Sequence, residues 1–338
     1  MGQPAPMVPS ESPMSAARVE LGRHLFYDVR LSGNGEQACA SCHEQARAFT
    51  DGEATPVGST GDPVPRNSMT LTNVAYRNTL AWSNPALTDL ESHALVPLFG
   101  EFPVELGLTG VEGQVFERLE SDPLYPALFG DAGLPVTTGA VTSALASFQR
   151  TLLSYDSPYD RWVAGDVHAL SEAAQRGADV FFSEAGECYH CHGGFDFTND
   201  VRTTDLPAGA SAFANTGLYN VEGTGRYPEP NVGLVEFTGA APDMGRFRVP
   251  TLRNVAVTAP YMHDGSVETL EEVVRHYVRG GSNHEQGPWA GDGAENPYKD
   301  SLIRPLDLDD TDVADVVAFL EALTDEAFLE DPRYADPW

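Results

Sequence analysis

The words "CASCH" at residues 39–43 and "CYHCH" at residues 188–192 decide how this chain is read, because together they hold all four of its cysteines. Each spells C-x-x-C-H. In that spacing two thiols stand one helical turn apart and can form thioethers with the two vinyl groups of one haem, while the histidine that follows reaches the iron from below. A redox dithiol or half of a zinc site shares the C-x-x-C spacing. Two copies that use every cysteine, each followed by histidine, select the haem reading. Cys39, Cys42 and His43, with Cys188, Cys191 and His192, are therefore assigned to two covalent c-type haems. His190 fills a variable position of the second word and is expected to be exposed rather than ligating.

Composition narrows the rest. The chain has 338 residues, enough for two domains of ordinary size, and its two C-x-x-C-H words lie about 150 residues apart, so one haem per domain is expected. With 41% hydrophobic and 21% charged residues it reads as globular, and it has no apolar run of about eighteen residues to span a membrane. The opening "MGQPAPMVPSESPMS" shows no basic segment leading into an apolar stretch, so no signal peptide is visible. Covalent c-type haem is normally attached outside the cytoplasm, and a periplasmic protein whose signal has been removed is expected. The formal net charge of −30 argues against nucleic acid and anionic lipid, which need basic surfaces. It suits a positively charged or metal-binding protein partner, and equally an acidic surface that only keeps the protein soluble.

Two stretches share a layout. "SAARVELGRHLFYDVRLS" (15–32) has apolar residues at helical spacing and leads through a Gly/Asn turn, "SGNGEQ", into the first haem word. "LSEAAQRGADVFFSEAGE" (170–187) is a helix with Ser171 as N-cap and runs into the second. This weak repeat predicts two cytochrome-c-like halves. "AVTSALASFQRTLLSYDSPYDRWVAGD" (140–166) reads as a closing helix and a linker, which sets the domains at 1–165 and 166–338. The final helix is expected at "TDVADVVAFLEALT", capped by Thr311. The Gly/Pro/Asn-rich stretch 193–246 looks like loops folded around a cofactor, and no alternating strand pattern is sustained. The fold class is mainly α.

The runs "LGRHLFYDVRLSGNGEQACASCH" (21–43), "RNSMTLTNVAYRN" (66–78), "FPVELG" (102–107), "SYDSPYDRWVAGD" (154–166) and "VPTLRNVAVTAPYMHDGSVETLEEVVRHY" (249–277) resemble the bacterial dihaem cytochrome c peroxidase superfamily, in its order and roughly at its spacing. That superfamily includes true cytochrome c peroxidases and MauG-like enzymes that oxidise residues of a partner protein. The wording of 80–108, "LAWSNPALTDLESHALVPLFGEFPVELGL", is most similar to the MbnH-like branch, whose partner is a copper-binding protein with a tryptophan to be oxidised.

The resemblance assigns further residues. A ligand above each iron decides whether a haem reacts or only passes electrons. Cytochrome c peroxidases of the superfamily commonly carry a displaceable histidine soon after the first haem word, but "DGEATPVGSTGDPVP" (51–65) has none, which implies an open iron able to bind hydrogen peroxide. The remaining candidates there are His24, expected at the surface, Met69 and His93. Glu105 matches the distal glutamate that moves the proton when peroxide is split. His93 falls where MauG-like proteins tend to have a glutamine; assistance in the acid–base step, ligation of iron and a buried structural role all stay open. Trp82 matches the tryptophan between the haems, a relay for electrons or holes. Asn67, Thr258 and Pro260 match a calcium site between the domains, in keeping with calcium's taste for amide and carbonyl oxygens.

At the second haem the peroxidases use a methionine at a fixed distance after the "PYxHDG" word. Here Tyr277, in "VVRHYVRGG" (273–281), stands there, as in MauG-like proteins. A thioether favours ferrous iron; a phenolate stabilises oxidised iron, so the second haem can share a high-valent state created at the first. Met244 and Met262 are alternative ligands, and His276 is expected on another side of the helix from Tyr277. The resemblance thus implies a peroxidase-type oxidoreductase that uses hydrogen peroxide to oxidise a partner residue, tryptophan first. The alternatives are a cytochrome c peroxidase fed by a small cytochrome and a non-catalytic dihaem electron-transfer protein. Trp162 and Trp289 are both open as exit points for holes.

Overall fold

Two helix crossings of one design organise the chain. The computed structural model describes residues 3–206 and 212–338, and among these the helices are α1 (Ala16–Tyr27), α2 (Leu90–Phe99), α3 (Glu112–Glu120), α4 (Leu124–Ala132), α5 (Thr138–Gln149), α6 (Pro158–Val163), α7 (Glu172–Phe181), α8 (Tyr189–His192), α9 (Val235–Thr238), α10 (Leu270–Arg279), α11 (Asp310–Glu321) and α12 (Glu326–Leu329). Four two-residue strands complete it: β1 (Phe213–Ala214) pairs antiparallel with β2 (Phe247–Arg248), and β3 (Asn283–His284) with β4 (Gly291–Asp292). The fold is mainly helical, as expected. Of the loop-rich stretch 193–246, residues 207–211 lie outside the described residues.

In the first crossing α1 starts where Ser15 Oγ accepts from Arg18 N, and it meets α5 at Gly22. A Cβ at Gly22 would overlap the Ala144 carbonyl and touch Phe148. In the second, α7 starts at Ser171, whose Oγ accepts from Ala174 N as predicted, and meets α11 at Gly177, where a Cβ would overlap the Asp315 carbonyl and touch Phe319. Only glycine lets the backbones approach so closely. The ring pairs repeat as well: Phe26 lies 5.2 Å from Phe148, and Phe181 lies 5.0 Å from Phe319. Burying each of these side chains contributes about 1.5–3 kcal/mol.

Each crossing anchors one apolar core. The first gathers Leu21, Leu25, Phe26, Phe49 and Phe148; the second gathers Phe181, Phe197, Val316 and Phe319. The C-terminal end returns to the first core, where Phe328, Leu329 and Tyr334 are buried. Two asparagines tie the segments together. Asn73 and Asn254 both adopt left-handed backbone angles, φ 55° and 59°, and each opens a 3-10 turn. Asn73 Oδ1 accepts from Ser154 N at 2.8 Å, while Asn254 Oδ1 accepts from Asp325 N at 2.8 Å and its Nδ2 donates to Ser154 Oγ at 3.1 Å.

Two local expectations are corrected. α11 is capped by Asp309, not Thr311: its carboxylate accepts from Thr311 N at 2.8 Å and Asp312 N at 3.0 Å, and a charged acceptor is favoured at a helix N-terminus. His24 is buried, not at the surface, because Trp338 packs edge-on against it at 5.3 Å and its Nδ1 donates to Glu20 O at 2.9 Å.

Candidate active site

A backbone carbonyl holds the histidine of each C-x-x-C-H word. His43 Nδ1 lies 2.8 Å from the Phe49 oxygen, and His192 Nδ1 lies 3.2 Å from the Phe197 oxygen. A carbonyl only accepts, so Nδ1 carries the proton and Nε2 keeps the lone pair that can bind iron. Phe49 and Phe197 both have left-handed backbone angles, φ 64° and 50°, and their rings lie 6.0 Å from Phe26 and 6.1 Å from Phe181. Burial drives both imidazoles toward the neutral form, His192 down to about 4. It also pushes Cys39, Cys42 and Cys188 up to about 12, and Cys191 upward. Thiols that hold their protons this firmly are the opposite of a reactive dithiol.

Glu105 and His93 reach the first word from neighbouring segments. α2 begins at Asp89, whose carboxylate accepts from Ser92 N at 2.8 Å, and carries His93 in its first turn. Past α2 the chain folds back, so that Leu106 N reaches the Pro97 oxygen and Leu108 N the Leu98 oxygen, both at 2.8 Å. Burial pushes the Glu105 carboxyl up to about 6, and its charge in turn raises Cys39 and Cys42. His93 is pushed down to about 4, first by burial and then by repulsion from His43 and Arg248. Both predicted residues therefore lie near the first word.

A second group shares one cavity: Cys188, Cys191, His192, Tyr277, Trp82, Asn67, Thr258 and Pro260 all line it. α10, capped by Thr269 and Glu272, presents Leu270, Val273, Val274, Tyr277 and Val278, one face at helical spacing. His276 points elsewhere, its Nδ1 2.8 Å from Ser282 Oγ. Burial, then the neighbouring Cys191 and Cys188, keep the Tyr277 phenol protonated well past its ordinary range. Trp82 Nε1 donates to Asn67 O at 2.9 Å, and the Trp82 carbonyl accepts from Arg248 N at 2.8 Å. Asn67 Nδ2 donates to Glu53 O at 2.8 Å. Met244 and Met262 pack with Trp82 in a small cluster around Tyr219, Tyr227 and Phe247.

Two cavity residues went unnoticed in the sequence. Arg248 is 5% exposed; its Nη2 lies 3.1 Å from Met69 Sδ, and its Nε and Nη1 make no hydrogen bond. His263 stacks on Phe247 at 3.6 Å with an unpartnered Nε2. An available signal was the repeat of "SMTLTNVA" (68–75) in "VPTLRNVA" (249–256), which flanks both.

Comparison with known proteins shows the family. A family model described as di-haem cytochrome c peroxidase matches residues 16–168. The methylamine utilization protein MauG of Methylorubrum extorquens is 33% identical over 323 residues, covering 94% of this chain and 81% of that one. This chain belongs to the di-haem cytochrome c peroxidase and MauG family. Cytochrome-c peroxidase IdrP1 of Denitromonas iodatirespirans is 37% identical over 346 residues, 96% of this chain and 87% of that protein. The crystal structure of a MauG-like protein associated with microbial copper homeostasis superposes with TM-score 0.97 at 45% identity, over 99% of this chain and 97% of the other. As a di-haem cytochrome c peroxidase and MauG family member, the chain is a haem peroxidase-type oxidoreductase, and the family implies two c-type haems.

The residues fit those haems. Each cysteine pair lies beside a histidine whose Nε2 lone pair is available, and the cavity at the second word is walled by apolar side chains such as Phe181, Leu252, Val274 and Leu320. Arg248 Nε and Nη1, which make no hydrogen bond although Nη1 lies 3.8 Å from Asp200, offer donors to haem carboxylates. Burial holds the Tyr277 phenol protonated, and a nearby metal cation is what would draw that proton off.

Proposed function

We propose that this enzyme uses hydrogen peroxide to withdraw electrons from a residue of a metal-binding partner protein, with tryptophan the first substrate to try. The observation that carries the reading is Tyr277, which lines the cavity with Cys188, Cys191 and His192, where cytochrome c peroxidases of the family have methionine. The likeness to a MauG-like protein associated with copper homeostasis supports a metal-binding partner, and the net charge of −30 suits one that presents positive charge.

When bound, the haems supply peroxide cleavage and storage of the two oxidising equivalents. His43 and His192, each fixed by its carbonyl, would hold the irons through Nε2. Glu105, a carboxylate above about pH 6, takes a proton from one peroxide oxygen and returns it to the other. His93, buried near His43, stays neutral. Trp82, hydrogen-bonded to Asn67 O, relays electrons between the two sites. Tyr277 would supply a phenolate that favours oxidised iron at the second haem. Asn67, with the carbonyl oxygens of Thr258 and Pro260, would hold calcium; Thr258 Oγ1 donates to Val255 O at 3.0 Å, which leaves the Thr258 backbone oxygen for the ion.

The proposed domains, 1–165 and 166–338, hold one haem word each, although Phe328, Leu329 and Tyr334 of the second pack back into the first core, and the protein works in the periplasm. Among the described residues no helix is long and apolar enough to cross a membrane.

A second reading is a cytochrome c peroxidase that removes peroxide with electrons from a small cytochrome, favoured by the 37% identity to a cytochrome-c peroxidase. Stopped-flow mixing of the fully ferric protein with one equivalent of hydrogen peroxide separates the two. Reaction of the resting ferric protein supports partner oxidation, and reaction only after one haem is reduced selects the peroxidase.

A further inference from the structure

The route by which oxidising equivalents leave the molecule can be traced through side-chain rings. Phe197, whose oxygen holds His192, places its ring 5.2 Å from Tyr159. Tyr159 lies 6.2 Å from Trp162, with 36° between the planes, and stacks on Phe182 at 6.3 Å. Both Tyr159 and Trp162 stand on α6, which is fixed in place: Asp160 on the same helix accepts from the buried Arg253 at 2.8 and 3.0 Å, and Arg253 lies over the Phe197 ring at 5.5 Å. Trp162 is only partly buried; beside it in the chain Val163 is 59% exposed, and Phe182, stacked on Tyr159, is 41% exposed.

The other exposed tryptophans lack such a path. Trp338 is 56% exposed, but it packs on His24 and Arg30 of the first core. Trp289 is 43% exposed, and among the described residues no ring contact joins it to this cluster.

We propose that Trp162, reached from the second C-x-x-C-H word through Phe197 and Tyr159, is the residue at which electrons enter from the partner. The inference rests on the peroxide reading above. In each turnover hydrogen peroxide takes up two electrons and two protons and becomes two waters; the partner residue supplies both electrons, one at a time, through the Trp162 indole. Without a partner the indole itself loses two electrons and a proton and then adds water with loss of a second proton. The balance is indole C–H plus hydrogen peroxide giving indole C–OH plus water, with the new oxygen drawn from solvent.

The test treats the dihaem protein with excess ordinary hydrogen peroxide in water enriched in oxygen-18, without reductant, and maps the oxidised peptides by mass spectrometry while peroxide consumption is followed in parallel. The expected result is heavy oxygen on Trp162 in preference to the more exposed Trp289 and Trp338, with a several-fold loss of that label in Tyr159→Phe. Peroxide consumed with Trp162 unlabelled, with ordinary oxygen on it, or with labelling indifferent to Tyr159→Phe overturns this exit while leaving the peroxide reading intact. Peroxide left unconsumed overturns both.

Discussion

Gly22 and Gly177 occupy the same place in two copies of one helix crossing, each pressed against a partner-helix carbonyl and a phenylalanine, Phe148 in one and Phe319 in the other. The crossings orient Phe26 and Phe181, which pack on Phe49 and Phe197, whose carbonyls aim the two histidines. Gly22→Ala and Gly177→Ala are each expected to cost about 1–3 kcal/mol through overpacking. Guanidinium unfolding of the two variants checks this, and unchanged midpoints in both would contradict the close approach.

Glu105 gives the peroxide reaction its pH dependence. Its carboxyl is raised from an ordinary value of 4.5 to about 6, so the proton-accepting carboxylate is lost below that value and gained above it. The second-order rate with peroxide is therefore expected to rise with pH through about 6 and then level off. Glu105→Gln removes the limb and lowers the rate by about 10²–10⁴. A pH–rate profile with the same limb in the variant would exclude Glu105 as the base.

His93 contributes no titration of its own near neutrality. Burial and the nearby His43 and Arg248 hold it at about 4, so it is neutral from about pH 5 upward. His93→Gln is expected to change the size of the peroxide rate and not the position of its pH limb. Disappearance of a limb near 6.5 in this variant would show that His93 titrates as an ordinary exposed histidine.

Calcium is expected to stabilise the cavity wall that Asn67, Thr258 and Pro260 share. Removal by EGTA should lower thermal stability, by about 3 kcal/mol where free calcium had stood near a hundred times its dissociation constant. Asn67→Ala should blunt that response. Melting curves that are the same with and without chelator would argue against a calcium role.

Much of this was readable from the chain because it depends on short-range pattern. The haem words use every cysteine, and the spacing of Leu270, Val273, Val274 and Tyr277 places the tyrosine on one helix face with apolar neighbours. What escaped depends on contacts between distant segments. His24 is covered by Trp338 from the far end of the chain, and no local signal announces that. Arg248 looks like any arginine in a loop; its burial follows from pairing with Trp82 O and packing against Met69. The N-terminus of α11 was misplaced by two residues because Thr311 and Asp309 are both capping types, and only the carboxylate geometry distinguishes them.

Tyr277 is expected to make the second haem a store of oxidising equivalents. The most direct measurement is Mössbauer spectroscopy of the iron-57-enriched ferric protein frozen after one equivalent of hydrogen peroxide, beside Tyr277→Met. Both irons leaving the ferric state in the native protein, with the second remaining ferric in the variant, is the predicted result. A second iron that stays ferric in the native protein, or equal behaviour of the two proteins, would contradict it.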